Sequence, residues 1–467
     1  MLNERRLNVA VIGTGVSGLS AAWLLSQAHN VTVFEKASWI GGHSNTVDAP
    51  VPSPAAASGT NPATFKDTNP ATVPVDTGFI VYNERTYPNF TAMLAHLGVA
   101  TELSEMSFAA SIGQGAFEYS GNTIWTMIAQ KRNLLRPRFW RMVTDLVRFY
   151  RTLVADTRGP GGTAGTLGAY LTRNGYSQDF ARLHLQPMAA CIWSASLDDI
   201  LKFPLAAFVR FFDNHGLLEL RDANRPRWRT VTGGSRAYVA KIATPFRDRI
   251  RTNCAVTSVR RHHEFVEVSS NVGGPEVFDH VVIASHSDQA LAMLADPTQD
   301  ETAILGAISY ARNRAVLHTD ATLMPQRRKA WASWNFLADE ETSGASGVCL
   351  TYWMNCLQNI DHRAPLFVTL NAPRAPRAGT EIAAFDYEHP VFNQAALDAQ
   401  QNLWSLQGRS RTWFCGAYFG HGFHEDGLQA GLAVGEALGG VKRPWQVAGE
   451  SDRIYLNGAP GPTAATR

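Results

Sequence analysis

Val9-Ala10-Val11-Ile12-Gly13-Thr14-Gly15-Val16-Ser17-Gly18, followed by Val31-Thr32-Val33-Phe34-Glu35, is the stretch that decides how this chain of 467 residues folds. A short apolar run with a strand's composition meets Gly-x-Gly-x-x-Gly, after which Val16, Leu19, Ala22 and Trp23 fall at helical spacing. The glycines therefore mark a strand-to-helix turn, with Val16 and Ser17 in the first helical turn. Gly13 permits the tight bend, Gly15 lets backbone N–H groups close on a pyrophosphate, and Gly18 lets the helix pack near the strand. Glu35 ends a second apolar strand, where its carboxylate accepts hydrogen bonds from a ribose diol and repels a 2'-phosphate, which favours FAD or NAD over NADP. Strand, turn, helix, strand and acid come in order, and that order separates a dinucleotide site from an ordinary glycine-rich turn. A secretion signal is the rival reading, since Arg5 and Arg6 precede an apolar stretch up to Leu25. The glycines interrupt that stretch and no small-residue cleavage site follows it.

A chain of this length exceeds one core and implies two or three domains. Hydrophobic residues make up 45% and charged residues 18%, a globular balance, and a net charge of +2 supplies no reason to expect a nucleic-acid partner. Of the 42 basic residues seven are lysine. Arginine is the better bidentate partner for carboxylate and phosphate, and coding bias explains the excess equally well. Cys191, Cys254, Cys349, Cys356 and Cys415 lack any C-x-x-C or zinc-type spacing, so a reducing cytosol and no metal site are expected. No run of about eighteen apolar residues free of breakers occurs, so any membrane contact is expected to be peripheral.

Ala49 to Pro74 is rich in Pro, Ala, Ser, Thr and Asn and reads as a flexible surface loop. Val75 to Val81 reads as a strand, Tyr87 to Leu97 as a helix, and Gly159 to Gly165 as a break. Thr232-Gly233-Gly234-Ser235 opens a helix through Tyr238 and Ile242. Val256, Val259, Val266 and Val268 mark paired strands, and Val281 to Ala284 a buried one. Apolar positions from Val316 to Val368 suggest an antiparallel sheet over about 310–390. Near the end, Thr412 to Leu428 repeats the theme of strand, glycine-rich loop and helix. Leu428, Leu432 and Leu438 give an apolar stripe, and Gly427, Gly431 and Gly435 give a bare strip where another backbone comes close. Asp426 is placed to cap this helix. A second helix N-terminus of this kind suits a flavin, whose reduced ring carries negative charge that aligned N–H groups stabilise; a simple close helix contact is the other reading.

With these pieces together the chain resembles the flavin-containing amine oxidase and phytoene desaturase superfamily, over nearly its whole length. Gly41-Gly42 matches that family's second glycine pair, and the strand ending Val282-Ile283-Ala284 and the C-terminal glycine loop match as well. The strings VDTGFIVYNERTYPNF, NLLRPRFWRM, PMAACIW, FFDNHGLL, WRTVTGGSRAYV, TYWMNCLQ and FCGAYFGHGFHEDGLQAG are similar to one bacterial group of NAD/FAD-binding proteins, often encoded beside cyclopropane-fatty-acid synthase-like methyltransferases. The resemblance implies an α/β fold in which a Rossmann-like FAD-binding domain (1–85, 230–305 and 406–450) is interleaved with an α+β substrate domain of mixed sheet plus helices (helices in 86–229, sheet in 306–405), with a tail at 451–467. Its candidate cofactor residues are Gly13, Gly15, Val16, Ser17, Gly18, Glu35, Lys36, Gly41, Gly42, His43, Val256, Gly416, Glu425, Asp426 and Leu428. Two positions depart from the pattern. His43 stands where many relatives carry Arg or Lys, and Phe414-Cys415-Gly416-Ala417 lacks the acid that relatives use to hold the ribityl chain.

Flavin carries hydride chemistry itself, so the protein need only place a C–H bond at the ring and exclude water. His421 and His424 lie in the loop expected near the ring, where a histidine either moves protons or steadies a head group, or is structural. Tyr418 joins the two histidines as a candidate catalytic residue that lines the cavity above the ring, and Tyr352 and Trp353, with Trp193 and Phe212, are candidates to line the substrate cavity, with core packing the alternative. Glu425 is either a flavin-side acid or a helix-end residue. The resemblance also implies a lysine near the flavin in amine oxidases, and Asn313-Arg314-Ala315-Val316-Leu317-His318 has none. Residues 131–151 mix seven cations and one acid with aromatics, suited to an anionic lipid surface or to a solvated helix face. The expected function is an FAD-dependent oxidoreductase acting on a long apolar substrate, an unsaturated or methylated fatty acyl chain. Amine oxidation and a non-catalytic FAD-binding scaffold are the alternatives.

Overall fold

The computed structural model describes residues 6–51, 71–159, 161–193, 196–219, 225–339 and 349–456, without the Ile124 side chain. Five parallel strands form one sheet in the order Ile250–Arg251, Asn30–Phe34, Asn8–Ile12, His280–Ile283 and Thr412–Phe414. The chain thus enters this sheet from three distant segments. All ten residues of the first glycine helix, Val16–Leu25, are buried. Its burial on every side follows from the C-terminal helix, His424–Gly439, lying against it. There the bare strip does what its spacing suggests: a Cβ on Gly431 would stand 2.2 Å from the Ser17 carbonyl oxygen, and one on Gly427 2.8 Å from Ser17 Oγ. Only glycine permits that approach.

A second sheet has seven strands, in the order Glu381–Val391, Ser309–His318, Phe367–Leu370, Cys349–Trp353, Trp334–Ala338, Phe108–Ile112 and Phe117–Ser120. Neighbours are antiparallel except Trp334–Ala338 with Phe108–Ile112. Its core is shared with the helices Pro137–Thr157 and Leu205–Asn214. The first of these buries Phe139, Met142, Leu146, Phe149 and Leu153, a three-four spacing that turns one face inward and leaves the arginines outward. The segment 86–229, read from sequence as helices, therefore also contributes two strands to this sheet. It also holds Thr101–Leu103, which pairs with Trp228–Val231 at the segment's end, and that strand pairs in turn with Tyr82–Asn83 in a small three-stranded sheet. The hairpin Phe108–Ser120 turns through Gly113, Gln114 and Gly115, all at positive φ.

The expected loop over Ala49 to Pro74 needs correction at both ends. Thr46–Pro50 and Thr72–Asp76 are antiparallel strands, with Val47 opposite Val75 and Ala49 opposite Val73; the rest of that loop, 52–70, lies outside the described residues. Proline is compatible with this two-stranded ribbon because every strand in it is an edge. The expected strand Val75 to Val81 stops at Asp76. Beyond it Thr77 N donates to Asn45 O (2.9 Å) and Phe79 N to His43 O (2.8 Å), which bends the chain away. The helix expected from Tyr87 spans Pro88–His96, and the one after Ser235 spans Arg236–Ala243. All five cysteines are buried free thiols. Among the described residues no helix is long and apolar enough to cross a membrane.

Candidate active site

The strand-to-helix turn is built as its glycines require. Gly13 has φ +103° and donates to Phe34 O (2.8 Å), while a Cβ on Gly18 would meet Gly13 O at 2.0 Å. Gly15 caps the helix with no side chain bonded to its first turn and no acid there. Those N–H groups are left for an anion arriving from outside. Gly41 and Gly42, at φ +117° and +59°, fold a second bare turn over the first, with a Cβ on Gly42 only 3.0 Å from Gly15 Cα.

Thr14, an unassigned position within the motif, ties the pieces together. Its hydroxyl donates to Glu35 Oε2 (2.5 Å) and accepts from Gly41 N (3.1 Å). Glu35 also takes Thr14 N (2.9 Å) on Oε2 and Ala37 N (2.8 Å) on Oε1. A carboxylate accepts about four hydrogen bonds, so one position on Oε1 remains for a hydroxyl in the cavity that Glu35 lines.

That cavity has a volume of about 2040 Å³. Ligand sites commonly run to roughly 300–1,000 Å³, so this one holds more than a single ligand. It begins at Gly13, Gly15, Val16, Ser17, Glu35, Lys36, Gly41, Gly42 and His43, passes Val256 and Gly416, and reaches Tyr418, His421, His424, Trp193 and Tyr352. The structure thus gathers most of the residues singled out in the sequence around one space.

Six do not line it. Gly18 serves the helix–strand contact, and Leu428 is fully buried in the core. Trp353 points to the opposite face of its strand from Tyr352, as alternation demands, and packs edge-on to Trp331 (5.3 Å). Phe212 is fully buried and stacked on Phe208 (4.0 Å). Glu425 is a correction of a different kind: its carboxylate accepts from Asn89 N (3.1 Å), Asn89 Nδ2 (2.9 Å) and Phe90 N (3.0 Å), at the first turn of the helix Pro88–His96. Asp426 accepts from Phe423 N (2.7 Å), which closes its own helix end, and pairs with Arg453 (3.2 Å). Neither carboxylate faces the cavity.

The histidines His424, His421 and His43 on the cavity wall are held neutral. His424 stacks on Phe79 (3.7 Å between ring centres) and its Nε2 lies 2.6 Å from Tyr238 Oη, which in turn meets Ser44 Oγ (2.6 Å). Burial pushes His424 down to about 3; burial, reinforced by the charges of Arg210 and Arg453, does the same to His421. His43 is lowered by burial and then by His389, His286 and His424 around it, and it stacks on Tyr387 (4.8 Å). Four buried polar atoms of cavity-lining residues, His43 Nε2, His215 Nε2, Trp334 Nε1 and Tyr418 Oη, have no hydrogen-bond partner among the described residues. Buried polar atoms are normally paired. Orphan atoms beside two bare turns and an acid fit a long coenzyme with polar groups along its length.

A parallel sheet whose two glycine helices converge on such a space, beside a separate, mainly antiparallel sheet, defines a two-part dinucleotide-binding flavoprotein. The chain belongs to the flavin-containing amine oxidoreductase family, whose model matches residues 16–377; it is an FAD-dependent oxidoreductase. Among solved structures it shares the fold of cyclohexylamine oxidase from Brevibacterium oxydans (15% identity, TM-score 0.64, 93% of this chain and 100% of that one). It shares it also with a CLA-producing fatty acid isomerase from P. acnes (13% identity, TM-score 0.63, 91% and 97%). No match is found among curated proteins.

Because burial holds these imidazoles far below the ordinary value, the absorption spectrum of the bound flavin is expected to stay constant between about pH 5 and 8. A spectrophotometric titration checks this. An inflection near the usual histidine value of about 6.5 that vanishes in His424→Gln contradicts the neutral assignment.

Proposed function

We propose that the enzyme acts on a long apolar substrate, an unsaturated or methylated fatty acyl chain, at a carbon next to a double bond. Loss of hydride and a proton from adjacent carbons desaturates the chain; loss of hydride and its return at the far end of the allyl unit moves the double bond. FAD, when bound at the two glycine turns, supplies the hydride acceptor. The observation that carries the reading is the wall of the cavity beyond those turns, where Phe108, Met127, Ile128, Val143, Val147 and Met188 offer hydrocarbon contact and no charge. Such a wall excludes water and costs an ammonium group its hydration. His421 lines the same space, and its imidazole, neutral at pH 7, has a ring nitrogen able to take a proton. The fatty acid isomerase of like fold is in keeping with this reading, while the strand Ser309–His318 offers no lysine for amine chemistry.

The same reading gives residues 131–151, with the neighbouring Trp125, a role at an anionic lipid surface on the cytoplasmic face of a membrane. Trp125, Leu135 and Trp140 are 79%, 87% and 49% exposed, the cations Lys131, Arg132 and Arg141 are exposed around them, and Trp140, Met127 and Ile128 line the cavity. Exposed aromatics among cations suit a headgroup layer.

An anaerobic substrate panel tests the proposal. Unsaturated fatty acid or phospholipid is expected to bleach the flavin, or to emerge with a shifted double bond, and the protein to sediment with anionic vesicles in low salt. Bleaching by amines alone makes the enzyme an amine oxidase; no response to either class leaves a scaffold.

A further inference from the structure

Tyr150 lines the cavity from the inner side of the helix Pro137–Thr157, and its hydroxyl lies 3.0 Å from His184 Nε2. His184 Nδ1 lies 2.8 Å from Tyr119 Oη, which also reaches Leu183 O (2.9 Å). His184 is buried and sits in a π-helical turn, Ala181–Leu185. Such turns are rare and recur at functional sites. Arg225 lines the same cavity; its Nε donates to Glu219 O (3.0 Å), and its two terminal nitrogens make no hydrogen bond or ion pair to the described residues.

Resting on the acyl reading above, we propose that Arg225 and Tyr150 bind the carboxylate of a free fatty acid, with His184 and Tyr119 as positioning residues behind the Tyr150 hydroxyl. Burial holds His184 at about 4, so at neutral pH the ring carries one proton and the chain of groups has two arrangements. In the first, Tyr119 donates to Leu183 O, His184 Nδ1–H donates to Tyr119, and Tyr150 O–H donates to Nε2, turning lone pairs to the cavity. In the second, Tyr119 O–H donates to Nδ1, Nε2–H donates to Tyr150 Oη, and the Tyr150 O–H, which otherwise reaches only the weak acceptor Met188 Sδ (3.7 Å), turns to donate into the cavity. An anion selects the second, because every O–H and N–H dipole then points at it. Burial raises the Tyr150 hydroxyl and the Arg225 charge offsets part of that rise, so the two groups act on one another across the cavity.

A guanidinium gives a carboxylate two parallel hydrogen bonds. It repels an ammonium ion, so the same pair discriminates acids from amines. Arg225 is exposed where Tyr150 is half-buried, which sets the charged head toward solvent and sends the hydrocarbon inward along the apolar wall.

The test uses the FAD-loaded protein and two probes, linoleic acid and its methyl ester, with binding read from flavin fluorescence. Wild type is expected to bind the acid at least tenfold more tightly than the ester. Arg225→Gln weakens the acid by roughly tenfold to a hundredfold, the range of a charged hydrogen bond, and leaves the ester unchanged; Arg225→Lys recovers part of the loss. Tyr150→Phe and His184→Gln weaken binding of the acid and raise its KM, while flavin content and ester binding hold. A merely structural role for His184 would instead lower flavin content and ester binding together. Equal affinity for acid and ester in wild type, or equal weakening of both by Arg225→Gln, overturns the carboxylate site and leaves the acyl reading standing. If neither probe binds and amines do, both fall.

Discussion

Gly15→Val is expected to yield a folded, colourless protein. A Cβ at Gly15 meets nothing within 4 Å, and the backbone there, at φ −62° and ψ 173°, is ordinary extended chain, so the fold has no objection to a side chain. The objection comes from the cavity, which Gly15 lines. Valine's methyl groups occupy the approach to the N–H groups at the start of the helix Val16–Leu25 and keep a pyrophosphate from closing on them. Loss of that contact is expected to weaken FAD at least about a hundredfold, or about 2.8 kcal/mol at 1.4 kcal/mol per decade. Absorbance at purification then shows little or no flavin. The contrast with the neighbouring glycines makes the result specific: at Gly18 a Cβ would lie 2.0 Å from Gly13 O, and at Gly13 2.9 Å from Ala284 O with φ +103°, so substitution there disrupts the turn itself. Flavin-free wild type and Gly15→Val should therefore melt together, while flavin raises the midpoint of wild type alone. Normal flavin content in the variant contradicts the assignment of this turn.

The parts of this site that were legible in the sequence are those whose partners are close along the chain or whose spacing is periodic. Gly13, Gly15, Gly18 and Glu35 fall within one strand-turn-helix-strand unit, and Gly427, Gly431 and Gly435 repeat at one helical face, so both bare surfaces could be read without knowing that they meet. What was not legible depends on pairing across long separations. Tyr238 and His424 are 186 residues apart, and Glu425 and Asn89 336 apart. No local pattern tells an acid at a helix start that another helix needs its hydrogen bonds. The strand Phe108–Ile112 escaped because Ala109, Ala110 and Ser111 carry neither branched nor aromatic side chains, and its place is set by pairing with Trp334–Ala338. Tyr352 and Trp353 are neighbours on a strand, and alternation alone already forbids both from facing one cavity.

Arg453→Met is expected to cost the fold about 3–5 kcal/mol, the range for leaving buried charge without its partner. Glu425 and Asp426 are both fully buried at the start of the C-terminal helix, and Arg453 is the cation that offsets them. Its Nη1 meets Asp426 Oδ1 at 3.2 Å, Nη2 donates to Thr86 O, and its guanidinium lies over Tyr87 (5.8 Å). Asp426 in turn holds Phe423 N, so the loop that carries His421 and His424 into the cavity hangs on the same network. Flavin retention should fall with stability. The pH dependence separates charge from packing. Burial raises both carboxyls above their ordinary range of about 4, and a group raised in the folded state contributes stability fully present below its unfolded value and lost as pH rises through the folded one. Without Arg453 that rise is larger. The gap in melting midpoint between wild type and variant should thus be smallest near pH 4, where both carboxyls take up protons, and grow toward pH 8. A gap that is constant across this range would assign the loss to the packing of Arg453 on Tyr87 and remove the charge argument. A gap that widens with pH makes this buried trio the electrostatic support of the loop at the flavin.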